Sequence, residues 1–401
     1  MVLRLPRTRV AAQIFDDSNA PEPSHSHYKN CVYQLQVPFS QKTERPQLEV
    51  FTVLRFFLAR RVNPQMGSES LSLIKKRKHA NFRVINVSGF KTDLMEIPSH
   101  DPALHVLFIP GNPGVISFYT DFLELLYESL GGTASVTGNH DFAHDADCFL
   151  LVLDEAIGHI SHSEKNWESG RLFSLQEQID HKISFIEQEL QDAEVPIVLV
   201  GHSIGSYISL ETFKRSQEKV VFCIGLYPFL ALNTASKTQA LIRRLAASPA
   251  LCAAISFMGG VLGMLPAPIS RRLVKKTIGK SWSSSAVEVL RTHVLQYHTI
   301  RNMLFMAMTE FQKLPEKTDS DFIRGKKNQI AFLFGLDDHW GPLHIHEEIR
   351  KQAPDARLEV EREGHTHSFS CTEAGSVWVA QHVSSLIKSY IQTAKIYQSR
   401  M

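Results

Sequence analysis

One serine, Ser203, sits between two glycines in Gly201-His202-Ser203-Ile204-Gly205. An apolar run, 197–200, comes directly before it, and a helix-competent run, 206–214, follows. A Gly-x-Ser-x-Gly segment between a strand and a helix is the signature of a serine presented on a tight turn. Glycines at Gly201 and Gly205 remove Cβ atoms that would clash there. A serine hydroxyl is a weak nucleophile at neutral pH. It needs a base, and the base needs a carboxylate to orient it. Asp337 and Asp338 follow the apolar run 330–334, and His365 and His367 follow 358–361. Position alone leaves both acids and both histidines open.

Acyl transfer also needs N–H donors for the oxyanion of the tetrahedral intermediate. One is expected from Ile204, the residue after the nucleophile. The other is expected from Pro110-Gly111-Asn112-Pro113-Gly114, where Gly111 permits the turn and Asn112 directs its N–H inward. His202 reads equally as a residue lining the site and as a packed part of the turn. Asp154 and His159 end and follow an apolar run, and a solvated loop suits them better than a role in the site. His344 and His346 form a His-x-His pair, but no third ligand stands at a plausible spacing for zinc. The chemistry calls for no metal and no organic cofactor.

Six short apolar runs read as buried strands: 105–109, 148–153, 197–200, 220–227, 330–334 and 358–361. Helical spacing separates them. Leu172, Leu175, Ile179, Ile183, Ile186 and Leu190 recur at steps of three and four, as do Val379, Val383, Ile387 and Tyr390. Phe118, Phe122, Leu125, Leu126 and Leu130 mark another helix face. Strands alternating with helices imply βαβ units, hence a mostly parallel sheet with helices on both faces. Two alternating segments around Ser88-Gly89 predict an antiparallel hairpin at one edge. Serine, acid and histidine in that chain order on such a sheet describe the α/β-hydrolase fold.

The 401 residues are 43% hydrophobic and 21% charged, with a net charge of +2. This is an ordinary globular composition, and it gives nucleic acid as a partner no support. Five scattered cysteines with no Cys-x-x-Cys pair argue against a disulfide framework and for a reducing compartment. The first ten residues hold Arg4, Arg7 and Arg9 but no apolar signal core. Residues 1–80 read as a poorly ordered extension, with regular patterning only after Met66. The hydrolase domain is expected over 81–392.

Residues 229–325 interrupt it before the acid's strand and are too long for a simple connection. They contain 26 uncharged residues, 245–270, bracketed by Arg243-Arg244 and Arg271-Arg272. Pro249, Gly259, Gly260, Gly263, Pro266 and Pro268 argue against one straight membrane span. A helical cap with a hairpin that dips into a lipid surface fits better than an ordinary buried cap.

Four segments together resemble one family. They are 107–114 followed by Phe118-Tyr119, 201–207, 334–340, and His367-Ser368-Phe369. The chain resembles the lipid droplet-associated hydrolases, and their plant branch most, over about 81–392. The resemblance selects Asp338, two residues before Trp340, and His367, two before Phe369. His339 stands where a proline is more usual. The resemblance implies a Ser203–Asp338–His367 triad acting on sterol esters or acylglycerols. It places the protein on the cytosolic side of lipid droplets and the endoplasmic reticulum, with 245–270 in the monolayer. The alternatives are a non-catalytic droplet tether, and a soluble thioesterase or short-chain esterase.

Overall fold

The computed structural model describes residues 80–99, 102–131, 152–191, 195–277 and 281–398. The expectations for 1–79 and for 148–151 lie outside the described residues. The strands are β1 (Asn81–Val87), β2 (Phe90–Ile97), β3 (Leu104–Ile109), β4 (Val152–Ile157), β5 (Ile197–His202), β6 (Val220–Leu226), β7 (Ile330–Gly335) and β8 (Arg357–Glu361). They form one sheet in the order β1-β2-β4-β3-β5-β6-β7-β8. From β4 to β8 every pairing is parallel, whereas β1–β2 and β2–β4 are antiparallel. The hairpin is therefore the sheet edge, as its alternation predicts.

The inner strands read as unbroken apolar runs because both of their faces are covered. Successive side chains point to opposite faces. Val106, Phe108, Val198, Val200, Phe222, Ile224, Ala331 and Leu333 join one core. It is shared with α1 (Thr120–Ser129) through Phe122 and Leu126. Leu107, Leu199, Cys223, Phe332 and Phe334 join the other, shared with α2 (Leu175–Glu189) through Phe185 and Ile186. The helix α3 (Ile204–Arg215) adds Leu210 and Phe213 to that second core.

The insertion is helical: α4 (Lys237–Ala246), α5 (Pro249–Gly263), α6 (Ala267–Thr277), α7 (Ser284–Val289), α8 (Tyr297–Lys313) and α9 (Ser320–Gly325). The chain bends by 92° between α4 and α5, and no single helix among the described residues is long and apolar enough to cross a membrane. After β7 comes α10 (Leu343–Gln352), and α11 (Glu373–Gln398) closes the domain against α1.

One expectation fails. Asp154 and His159 are buried, not solvated. The strand containing Asp154 runs to Ile157 and lies between β2 and β3, opposite Ile97 and Val106. The apolar run 148–153 marks this strand, but its acidic pair, Asp154-Glu155, hid the continuation to Ile157. Glu155 meets His105 of β3 at 3.2 Å. Burial pushes the Asp154 carboxyl well above its usual range. The His159 ring packs against Gly114, where an added Cβ would lie 2.2 Å from it.

Candidate active site

The chain order reverses direction across the sheet at β3: β4 lies on one side of it and β5 on the other. At such a switch point the loops leaving the carboxyl ends of adjacent strands diverge and open a crevice. Here those loops are 110–114 and the turn at Ser203, brought together because Ile109 pairs with Gly201.

Ser203 ends β5 and opens α3 with φ 55° and ψ −124°. A non-glycine residue held there stores on the order of 1–3 kcal/mol. The surroundings hold it: Ser203 N–H donates to Leu226 O at 2.9 Å, and Phe229 N–H donates to Ser203 O at 3.1 Å. A Cβ on Gly201 would lie 2.3 Å from Gly205 O, and one on Gly205 would lie 2.3 Å from Ile109 O. Both glycines are needed for backbone to pass backbone. Ser206 Oγ and Ser209 Oγ close the turn onto Gly201 O and Gly205 O.

Asp338 follows β7 and is buried, while its neighbour Asp337 is exposed. One oxygen accepts the Trp340 N–H at 2.9 Å, and the other meets His367 Nδ1 at 2.8 Å. Burial pushes the carboxyl up. The His367 charge and hydrogen bond and the Trp340 N–H outweigh it and hold Asp338 below the usual range. His365 instead faces the Trp378 ring at 5.7 Å. Ser203, Ile204, Asn112, His367, Trp340, Phe229 and Glu310 line one small pocket. Of the sequence candidates, Ser203, Asp338, His367, Asn112, Ile204, Gly201 and Gly205 thus come together, and Asp337 and His365 do not. The geometry is a serine and an imidazole lining one pocket, with Nδ1 of the imidazole tied to a buried carboxylate.

A family model described as lipid-droplet associated hydrolase matches residues 102–370. The chain belongs to the lipid droplet-associated hydrolase family. Its relatives of that name include one from Gallus gallus, 27% identical, with the match covering 67% of this chain and 80% of the relative. Another, from Dictyostelium discoideum, is 26% identical over 70% of this chain and 86% of its own length. The human one is 26% identical over 67% and 80%. Among solved structures, the haloalkane dehalogenase of Bradyrhizobium elkani superposes with a TM-score of 0.55 at 13% identity, covering 78% of this chain and 99% of its own. The peroxisomal α/β-hydrolase of Saccharomyces cerevisiae also gives 0.55 at 13%, covering 80% and 91%. These two establish the α/β-hydrolase fold.

Several residues that hold the site together escape sequence reading. His202 is one end of a buried chain. Its Nε2 bonds to His367 O at 2.9 Å, and its Nδ1 to Tyr119 OH at 2.7 Å. A carbonyl only accepts, so Nε2 carries the proton and Nδ1 accepts from the tyrosine. Burial, the His367 charge next, keeps His202 neutral by pushing its pKa well down. Tyr119 in turn accepts the Gly111 N–H at 3.3 Å. One neutral histidine therefore joins the loop 110–114, the turn at Ser203 and the loop that carries His367. The other end of the loop 110–114 is gripped as well: Gly114 N–H donates to His162 Nδ1 at 2.9 Å, and His159 N–H donates to Gly114 O at 3.0 Å. Met303 and Glu310 of α8 contact Asn112 across almost two hundred residues of sequence. Only Glu310 left a trace. It stands in the apolar phase of α8 set by Ile300, Met303, Leu304, Ala307 and Phe311.

Tyr119→Phe leaves the Gly111 N–H and His202 Nδ1 buried without partners. It is expected to destabilise the fold by about 1–3 kcal/mol, read as a lowered Tm. A melting curve that superposes on the wild type would show that the chain carries no load.

Proposed function

We propose that the protein is a serine lipid-ester hydrolase working on the cytosolic surface of lipid droplets, with sterol esters or acylglycerols as substrates. The observation that carries the reading is the shared pocket of Ser203 and His367, with Asp338 bound behind the imidazole. With Nδ1 facing Asp338, Nε2 is the nitrogen left to take the Ser203 proton as Oγ attacks the acyl carbonyl. Asp338 stabilises the imidazolium that forms. The oxyanion takes the N–H groups of Ile204, at the open first turn of α3, and of Asn112. Collapse expels the alcohol, which receives the proton from His367. Water, deprotonated by His367, then releases the fatty acid. Phe229 and Trp340 give the acyl carbonyl end an apolar wall. The pocket's small size leaves the rest of a long chain outside it.

The lipid-facing part of the reading rests on α5. Its inner residues Cys252, Ile255, Gly259 and Leu262 are buried, and its end packs so closely that a Cβ on Gly263 would lie 2.0 Å from Leu295 O. Its outer residues are apolar too: Leu251, Phe257 and Val261 are exposed, as is Met264 at its end, with Phe257 at 66% and Met264 at 78%. A helix that is apolar on a covered face and on an open face has surface to bury in lipid. Arg243, Arg244, Arg271, Arg272, Lys275 and Lys276 flank it on α4 and α6 and match anionic headgroups. The names of the chicken, slime-mould and human relatives carry the same association.

Two measurements test this. Emulsified cholesteryl oleate or trioleoylglycerol is expected to release fatty acid. No turnover of any ester, together with no labelling by a fluorophosphonate, would overturn the enzymatic reading and leave a tether. Phe257→Asp/Met264→Asp is expected to weaken flotation with artificial droplets at least about tenfold, since each side chain is worth about 1.5–3 kcal/mol when fully buried. A soluble short-chain ester should still be hydrolysed. Unchanged flotation would count against α5 as the contact.

A further inference from the structure

We propose that Glu310, on the cap helix α8, is a positioning residue for the reaction: it holds the side chain of Asn112 and thereby the backbone N–H that receives the oxyanion. The inference rests on the assignment of Asn112 as an oxyanion donor. Both protons of the Asn112 side-chain amide are used on α8. Nδ2 donates to Met303 O at 2.9 Å and to Glu310 Oε1 at 3.1 Å. The carboxyl is 3% exposed and lines the same pocket as Ser203 and His367. Packing alone would be served by a leucine in that apolar phase, because burying a carboxyl is unfavourable. The hydrogen bond gives the acid a task that a leucine does not perform.

The group's charge state matters because a carboxylate beside a forming oxyanion would oppose it. Burial pushes the Glu310 carboxyl up to about 8, against the opposing pull of the Asn112 amide. It is then neutral at pH 7. The pocket and the elements packed against α8 carry the following groups, besides Arg291 and His293 of segment 290–294. His367, with Asp338 behind it, stands across the pocket. On α2, Lys182 bonds to Gly158 O and to His181. Arg243 and Arg244 of α4 are exposed. The α5 helix carries no charged residue. None of them contributes to the rise. Activity should therefore fall as pH rises through about 8 and the carboxyl ionises.

The test uses the full chain and a soluble ester, p-nitrophenyl butyrate. Glu310→Leu removes the acceptor. It is expected to lower kcat by about 10- to 100-fold, less than the about 10²–10³ lost when an oxyanion donor is deleted, with KM changed less than about threefold. Glu310→Gln keeps an acceptor oxygen and should recover at least ten-fold of that loss. It should also lack the decline above pH 8. In an Asn112→Ala background, Glu310→Leu should lower kcat no further. Equal kcat for the leucine and glutamine variants, or the same loss with and without Asn112, overturns the proposal. If the leucine variant does not fold, the glutamine variant decides: an alkaline decline identical to the wild type overturns it. Full kcat in Asn112→Ala alone would also overturn the inference, because alanine keeps the backbone N–H and lacks only its anchor, whereas no turnover and no fluorophosphonate labelling of the unaltered protein would bring down the enzymatic reading beneath it. A slowed Asn112→Ala with an unaffected Glu310→Leu brings down this inference only.

Discussion

Ser203→Ala should lower ester hydrolysis at least about 10⁴-fold and abolish fluorophosphonate labelling, because the serine, base and acid of such a site act as one unit. The protein should still fold. Alanine keeps the Cβ, so it neither relieves nor worsens the φ 55° turn, and the Ser203 backbone bonds to Leu226 and Phe229 remain. The hydroxyl is the only group lost. A melting temperature near the wild type with activity gone separates chemistry from folding. Retained activity at the wild-type rate would remove Ser203 from the mechanism, and with it the role of the elbow. Labelling should also require the folded chain, because the pocket shared by Ser203 and His367 is assembled from α3, α8 and the segments after β3, β5, β6, β7 and β8.

Asp338→Asn is the second large effect, and its cause is one proton. The Trp340 N–H binds one side of the Asp338 carboxylate and His367 Nδ1 the other. In asparagine the oxygen must stay with the Trp340 donor, which turns the amide NH₂ toward His367. Nδ1 then has to accept, so the imidazole proton moves to Nε2. An Nε2–H cannot take the Ser203 proton. A loss of about 10⁴-fold in kcat follows, with little change in KM. The loss should ease as pH rises and hydroxide can remove the serine proton directly. A loss smaller than about tenfold at pH 7 would mean that another acid supports the base. Asp337 is the alternative left open by position in the chain, and its exposed side chain makes it a poor one.

The sheet was legible because strands covered on both faces show as continuous apolar runs and amphipathic helices repeat at about 3.6 residues. The failure at Asp154 shows the limit of that method. The strand continues through an acidic pair, with His105 on the next strand beside Glu155 and burial pushing the Asp154 carboxyl up, so the apolar run stops short of the strand's end. The elbow was legible because the pressure for glycine at 201 and 205 acts within five residues. The acid and base were legible only as pairs of candidates. Which member serves depends on a turn of two or three residues, and the family resemblance, not spacing, separated them.

Ser203 between its two glycines, followed by an acid and then a histidine at strand ends, is a property of the sequence alone. So is the long uncharged stretch 245–270. Both are local or ordered along the chain, and local patterns survive without coordinates. The partners that tie the site together depend on how distant elements pack. Tyr119 reaches both Gly111 and His202 only because β3 and β5 are neighbours. Glu310 reaches Asn112 only because α8 packs against the loop 110–114. The open outer face of α5 likewise exists only because its inner face is used up against the cap. Contacts of that kind are set by register and packing across hundreds of residues, and no spacing in the chain records them.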